Sequence, residues 1–374
     1  MFLLQQLIRI PSVNPDNAAS DQAGVTHEQD MADFVANYLS HIGAEITLEE
    51  IQPRRPNLIA RFAPLDGRPR ILLGPHLDTV GVDNMTIDPF SGEIRDGRIW
   101  GRGASDTKGP MAAMLEALKE NKNILRDLPT AVDFIGFMGE EASQHGSKHF
   151  AAHHAAGYQF AIVGEPTSMH IVHTTKGSLW ATLAARGVSA HSSQPHLGDN
   201  AILKLTRALI CLQENLASRL ETYRHPILGH STINIGTITG GSAPNIVPNH
   251  AAAQIDIRQT PALHSAGGAL QLLRETIASL RLPLEIQYAH ENPPMETDEE
   301  NPFIQQLLAT DPRTQLTGAP WFSDAAHLSA AGLPSVCLGP GSIDQAHTKD
   351  EFIAIEALEE GKRFFSKFIR SLAD

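Results

Sequence analysis

What most constrains this chain is an alternation of two textures. As far as Pro166, short apolar runs take turns with segments of helical period. HEQDMADFVANYLSHIG keeps its apolar residues on one helical face and stops at Gly43, a C-cap position. EITLEEI and NLIARFA read as strands, and RILLGPHLDTV as an apolar strand that runs into a polar loop. The helix GPMAAMLEALKEN, the strand AVDFIGFM, the helix HGSKHFAAHHAAG and the strand QFAIVGEP follow. Helices layered over a mostly parallel sheet bury such an order best, so the expected fold class is α/β. Ligands of such folds gather beyond the carboxyl ends of the strands.

The texture changes at HTTKGSLWATLAARG. Next come the helix NAILKLTRALICLQENL, the strands STINIGTI and AAAQIDIRQ, the helix ALHSAGGALQLLRETIASL and the strand LEIQYA. Strands and helices in this order predict a small α+β, ferredoxin-like sandwich. The helices NPFIQQLLAT and SDAAHLSAAG, the strand PSVCLG and the terminal helix EEGKRFFSKFIRSLAD then resume the first pattern. At 374 residues the chain exceeds one ordinary domain. The expectation is a discontinuous α/β domain, 1–174 and 289–374, interrupted by an inserted domain, 175–288.

A net charge of -13 argues against a nucleic-acid partner, which demands a basic face. No apolar stretch approaches the length of a membrane span. The opening MFLLQQLIRIPSVNP lacks the basic start and cleavage site of a secretory signal and reads as an amphipathic helix. Two cysteines, Cys211 and Cys337, are too few for a disulfide framework and read as reduced core residues. The cytoplasm is the expected address.

The strand ends carry the chemistry. His76 and Asp78 sit two apart, so both can face one side of an extended segment. Asp106 lies in the glycine-rich GRGASDTKG, Glu140 and Glu141 end the AVDFIGFM strand, Glu165 ends AIVGEP, and His347 follows the last apolar strand. Any one of these alone reads as a solvated loop residue. Together, imidazoles and carboxylates at the carboxyl ends of separate strands converge on one rim, the donor set that divalent ions take. A shell wide enough for more than one ion points to two-metal hydrolysis. Adjacent side chains of an extended chain diverge, so Glu140 and Glu141 divide the work: one binds metal and the other moves protons.

HLDTV, GRGASDTKG, GEE, VGEP and QAHTKDE, in this order, resemble the motifs of the dinuclear zinc amidohydrolase family. That family includes acetylornithine deacetylase, succinyl-diaminopimelate desuccinylase, aminoacylases and glutamate carboxypeptidases. The resemblance covers essentially the whole chain, and LGPGSIDQAHTKDEFI is most similar to acetylornithine deacetylases. It implies hydrolysis of the amide of an N-acyl amino acid or short peptide by two zinc ions per subunit, with cobalt able to substitute. By the same resemblance His76 and Glu165 hold one ion, Glu141 and His347 the other, and Asp106 bridges them, with Asp78 orienting the His76 imidazole. Glu140 becomes the general base, taking a proton from the metal-bridging water that attacks the acyl carbonyl. The acid usual before this pair is replaced by Gly139, and the Asp106–Thr107 peptide is expected to be cis.

The resemblance also makes the insertion a lid and dimerisation domain. His191 in GVSAHSSQPH would stabilise the oxyanion in the partner's site of a homodimer. Asn245 and Arg258 match substrate-binding positions; without the resemblance Arg258 reads as a surface strand residue. Gly339 and Gly341 of GPG can bring backbone N–H groups close to a substrate. Trp321 and Phe322 are either substrate contacts or core, and His145, His153, His154 and His196 match no ligand position. A carboxypeptidase or dipeptidase, a desuccinylase, or a catalytically dead binding protein on the same fold are the rival readings.

Overall fold

The computed structural model describes residues 2–17 and 25–373. The chain divides into two compact units: Met1–His173 with Glu296–Thr317 and Ser323–Asp374, and Thr174–Met295 with Gly318–Phe322.

In the first unit the strands are β1 (Glu45–Gln52), β2 (Arg55–Arg61), β3 (Arg70–Pro75), β4 (Ala131–Gly136), β5 (Phe160–Gly164) and β6 (Ile171–Thr175), where the chain leaves the unit. Side by side they run β1-β2-β4-β3-β5, then the short strand Ser335–Cys337, then β6. β4, β3, β5 and Ser335–Cys337 are parallel, whereas β1 and β2 join antiparallel at one side. Every residue of β3, β4 and β5 is buried. A sheet buried on both faces needs cover on both, and helices supply it. The core unites Met31 and Leu39 of α1 (Gln29–His41) and Met111 and Met114 of α2 (Lys108–Glu120) with Leu73, Phe134 and Ile162 of the sheet. Phe365 and Phe368 of the C-terminal helix Ile355–Ser371 belong to the same core. Each such phenyl ring contributes roughly 1.5–3 kcal/mol by leaving water. A further helix, α3 (His145–His153), follows the β4 strand end. The α/β class expected from the alternation is the one found.

The second unit reads β7 (Gly177–Arg186), α4 (Ala201–Leu220), β8 (Thr232–Gly240), β9 (His250–Gln259), α5 (Gly268–Ser279) and β10 (Glu285–Asn292). Its sheet is antiparallel in the order β8-β9-β7-β10. The Asn200 side chain caps α4 by accepting from the Leu203 N–H. Leu205, Leu209, Leu212 and Leu216 then form one stripe that packs with Leu272 and Leu273 of α5 against Leu179, Leu183, Ile255 and Ile257. One sheet face is thus covered, while Trp180, Ile238 and Tyr288 are exposed. Pairing of β10 with β7 continues to Asn292 opposite Ser178, past residue 288. Cys337 is buried, Cys211 on α4 is half-buried rather than core, and both are free thiols. Among the described residues no helix is long and apolar enough to cross a membrane.

Candidate metal centre

Two parallel strands end side by side and set the site. Phe137 N–H donates to the Pro75 carbonyl (3.0 Å) and Leu77 N–H to the Phe137 carbonyl (2.7 Å), which carries the β3–β4 ladder one step beyond both strands. His76 therefore emerges next to the chain that supplies Glu140 and Glu141. Between them Gly139 adopts φ +76, and a Cβ there would lie 3.3 Å from Arg55 Nη2. That left-handed turn is open to glycine with little strain. Asp78 ties the corner together: it accepts from the N–H of Glu140 (3.0 Å), from the N–H of Glu141 (3.1 Å) and from Asn14 Nδ2 (2.8 Å). His76 Nδ1–H donates to the Asp78 carbonyl at 2.9 Å, with the Asp78 carboxylate at 3.4 Å. The backbone of Asp78 holds the ring more closely than its carboxylate does. With the proton on Nδ1, the Nε2 lone pair is left to bind metal.

That lone pair faces Asp106, whose Oδ1 is 3.0 Å from His76 Nε2 and whose Oδ2 is 3.4 Å from His347 Nε2. A single buried carboxylate therefore stands between two imidazoles. Its loop is shaped by a residue that the sequence reading passed over, Glu351. This buried carboxylate accepts from the N–H groups of Gly103 (3.0 Å), Ser105 (2.8 Å) and Asp106 (2.9 Å) and from Arg102 Nη1 (2.8 Å). The signal was present in QAHTKDE, four residues beyond His347, but a glutamate in a charged loop has nothing local to mark it. The Asp106–Thr107 peptide is cis, as the resemblance implies.

Glu141 Oε2 lies 3.0 Å from His347 Nε2, and Glu165 is buried with its Oε1 unpartnered. The electrostatics are those of a crowded acidic chamber. Burial and Glu165 push the Glu140 carboxyl well up, burial and Asp106 push Glu165 well up, and Glu141 is pushed up to about 7 by burial and Asp106. Burial also raises Asp324 to about 7; this second overlooked acid receives the Ser147 hydroxyl. His347 moves the other way for an imidazole, up to about 10, because Asp106 and Glu141 favour its cation. Like charges forced together in a dry chamber call for cations, and divalent ions invert this pKa logic. The donor set fits two such ions: His76, Asp106 and Glu141 offer ligand atoms all within 4.8 Å of one another, and the unpartnered oxygen of Glu165 and the His347 ring extend the shell.

The matching family model is Peptidase family M20/M25/M40, over residues 72–371. The chain belongs to the M20 peptidase family. An acetylornithine deacetylase of Proteus mirabilis is 33% identical across 99% of this chain and 95% of its own length. One of Vibrio vulnificus is 30% identical across 97% and 96%. Among solved structures, an M20 family metallo-carboxypeptidase of Sulfolobus solfataricus superposes with a TM-score of 0.80 at 18% identity, covering 99% and 98% of the two chains. A dinuclear metal-binding M20 peptidase of Bacillus subtilis gives 0.69 at 15%, covering 99% and 96%. As a member of a dinuclear metal peptidase family, this M20 protein is a metal-dependent amidohydrolase.

The remaining candidates of the M20 chain divide between the two units, Gly339 and Gly341 packing beside the Glu165 and Ser105 segments of the first. Gly339 spends its N–H on Thr167 Oγ1 (3.2 Å), and Gly341 has φ +91, where a Cβ would come 2.5 Å from Ser105 Oγ. His191, Asn245 and Arg258 belong to the second unit. Ser192 N–H donates to the Asn245 carbonyl (3.0 Å), which brings His191 and Asn245 onto adjoining segments. Ser193 N–H donates to His191 Nδ1 (3.1 Å), so the neutral ring carries its proton on Nε2 and is a donor there. Arg258 donates Nε–H to Asp256 Oδ2 at 3.0 Å, leaving its two terminal nitrogens for another acceptor. Trp321 and Phe322 are half-buried in the second unit. His145, His153 and His196 are exposed.

Proposed function

We propose that this enzyme removes a short acyl group from an N-acyl amino acid in the cytoplasm, with N-acetylornithine as its best substrate. The observation that carries the reading is Asp106, one buried carboxylate set between the imidazoles of His76 and His347, in a chain that matches acetylornithine deacetylases over nearly its full length.

In this reading His76 and Glu165 hold one zinc, Glu141 and His347 the other, and Asp106 faces both. Bound there, the ions supply a Lewis acid for the acyl carbonyl and a water acidified toward neutral pH. Glu140 takes the proton of the attacking water and passes it to the leaving nitrogen. Arg258 clamps the substrate carboxylate with its terminal nitrogens, Asn245 and the Gly339–Gly341 backbone position the substrate, and His191 donates Nε2–H to the oxyanion. The second unit serves as lid and dimer contact, so that His191 acts in the partner's site of a homodimer.

The test is a panel of N-acetylornithine, other N-acetyl amino acids, N-succinyl-diaminopimelate and dipeptides, assayed with zinc and with cobalt. The highest kcat/KM is expected for N-acetylornithine. A dipeptide or the succinyl substrate turned over faster would transfer the chain to the carboxypeptidase or desuccinylase reading.

A further inference from the structure

Among the described residues, one more group of metal-ligand types converges: Glu49, His149 and His154, with ligand atoms all within 4.8 Å of one another. Glu49 lies on β1, the edge strand of the sheet, three strands from the one that delivers His76. His149 sits in the last turn but one of α3 and His154 is the residue that closes it, leaving the helix at φ -127 and swinging its ring back. His154 Nε2 is 2.9 and 3.0 Å from the two Glu49 oxygens, and His149 Nε2 is 3.6 Å from Oε2.

His154 and Glu49 form a direct hydrogen-bonded pair, and with His149 the separations bracket those of ligands around a small ion. Zinc with bonds of 2.0–2.2 Å spaces its tetrahedral ligand atoms about 3.3–3.5 Å apart, between the two sets of distances found here. Closing the group onto an ion needs only small rotations, and the side chains are free to make them, being 25% (Glu49), 36% (His149) and 24% (His154) exposed. His153 stacks on His149 with ring centroids 4.2 Å apart and donates Nδ1–H to the His149 carbonyl (2.8 Å), so it walls one side of the group. The carboxyl end of α3 adds its negative dipole end, which favours a cation. Two imidazoles and one carboxylate select a zinc-class transition ion over magnesium or calcium.

We propose that Glu49, His149 and His154 form a further divalent-metal site that takes zinc and staples α3 to β1. The far end of α3 supports the Glu140–Glu141 corner: Gly146 N–H donates to the Met138 carbonyl (3.2 Å), Asn57 Nδ2 donates to the Gly146 carbonyl (2.9 Å), and Ser147 holds Asp324. The staple thus fastens the helix on which that corner leans, without contributing a ligand to the hydrolytic centre.

The test counts zinc on the intact, zinc-loaded enzyme dialysed against micromolar free zinc. Wild type is expected to retain one more ion per chain than the double variant His149→Ala/His154→Ala, both keeping the two ions of the hydrolytic centre. Glu49→Gln, which keeps the shape of the strand residue, is expected to weaken that extra ion at least tenfold. Equal zinc content in wild type and variants, or an extra ion held by wild type only at millimolar zinc, overturns the proposal. If the double variant does not fold, Glu49→Gln decides alone, and unchanged affinity for the extra ion overturns the proposal equally.

Discussion

At the rim of the first unit His76 and Asp106 are 2% and 7% exposed, and the backbone that aims them is tied down at each step. Asp78 grips the Glu140–Glu141 corner, and Glu351 grips the loop of Asp106. In the second unit His191 and Asn245 stand exposed, and Arg258 leans on an acid of its own strand. The two regions face different physical demands. A metal centre crowds charge, and charge is tolerated in a dry chamber only if its ligands are held before the ions arrive. A surface that reads substrate, the role proposed for the second unit, can stay hydrated and wait, since its desolvation and ordering are deferred until substrate binds.

That contrast can be broken most sharply at Glu140. Glu140→Gln keeps shape and burial but cannot shuttle a proton, so kcat is expected to fall roughly 10²–10⁴-fold while two ions per chain remain. Near-normal turnover in a metal-replete variant would remove Glu140 from the role of base. Asp78→Asn tests preorganisation. An amide cannot accept at both oxygens, so one of the Glu140 and Glu141 N–H groups loses its partner. Metal affinity should drop about 10–100-fold in a zinc titration, and unchanged affinity would mean the corner is held by other means.

For the exposed cluster a smaller and conditional effect is expected. Inactive Glu140→Gln and His191→Ala chains, mixed under conditions of subunit exchange, should regain up to about a quarter of wild-type activity. Half of the subunits then sit in mixed dimers, each of which has one site with an intact Glu140 and a borrowed His191. Exchange without recovery would mean that His191 acts within its own chain or not at all. The smallest change is expected from Arg258→Lys, which keeps the charge but loses the fork: KM should rise about tenfold with kcat nearly constant. A fall in kcat at constant KM would place Arg258 in the transition state instead of in ground-state binding.

Much of this architecture was legible because it is local. Periodicity marked α2, α4 and the C-terminal helix, alternation marked β9, and continuous apolar runs marked β3, β4 and β5. The ligand types announced themselves at strand ends, where α/β folds keep their chemistry. Three-residue strands carry no such period. Glu93–Arg95, Arg98–Trp100 and Phe352–Ala354 form a small sheet that the sequence reading missed, because its third strand pairs across some 250 residues of chain. Gly139 was visible as a departure from the family pattern, yet its left-handed turn beside Arg55 exists only in the folded chain.

By itself, then, the amino-acid order determined the two textures, the class of fold, and a set of imidazoles and carboxylates at offsets that suit divalent ions. Which nitrogen of His76 faces Asp106 depended on a carbonyl two residues away and was decided by the turn. The aim of Asp106 depended on Glu351, 245 residues distant, whose carboxylate collects three backbone N–H groups of the loop. The closeness of Glu49 to His154, 105 residues apart, depended on an edge strand meeting the end of a helix. Local propensities and side-chain chemistry are written residue by residue; the direction of a buried side chain is set by whichever distant group satisfies its backbone, and only the closed fold names that group.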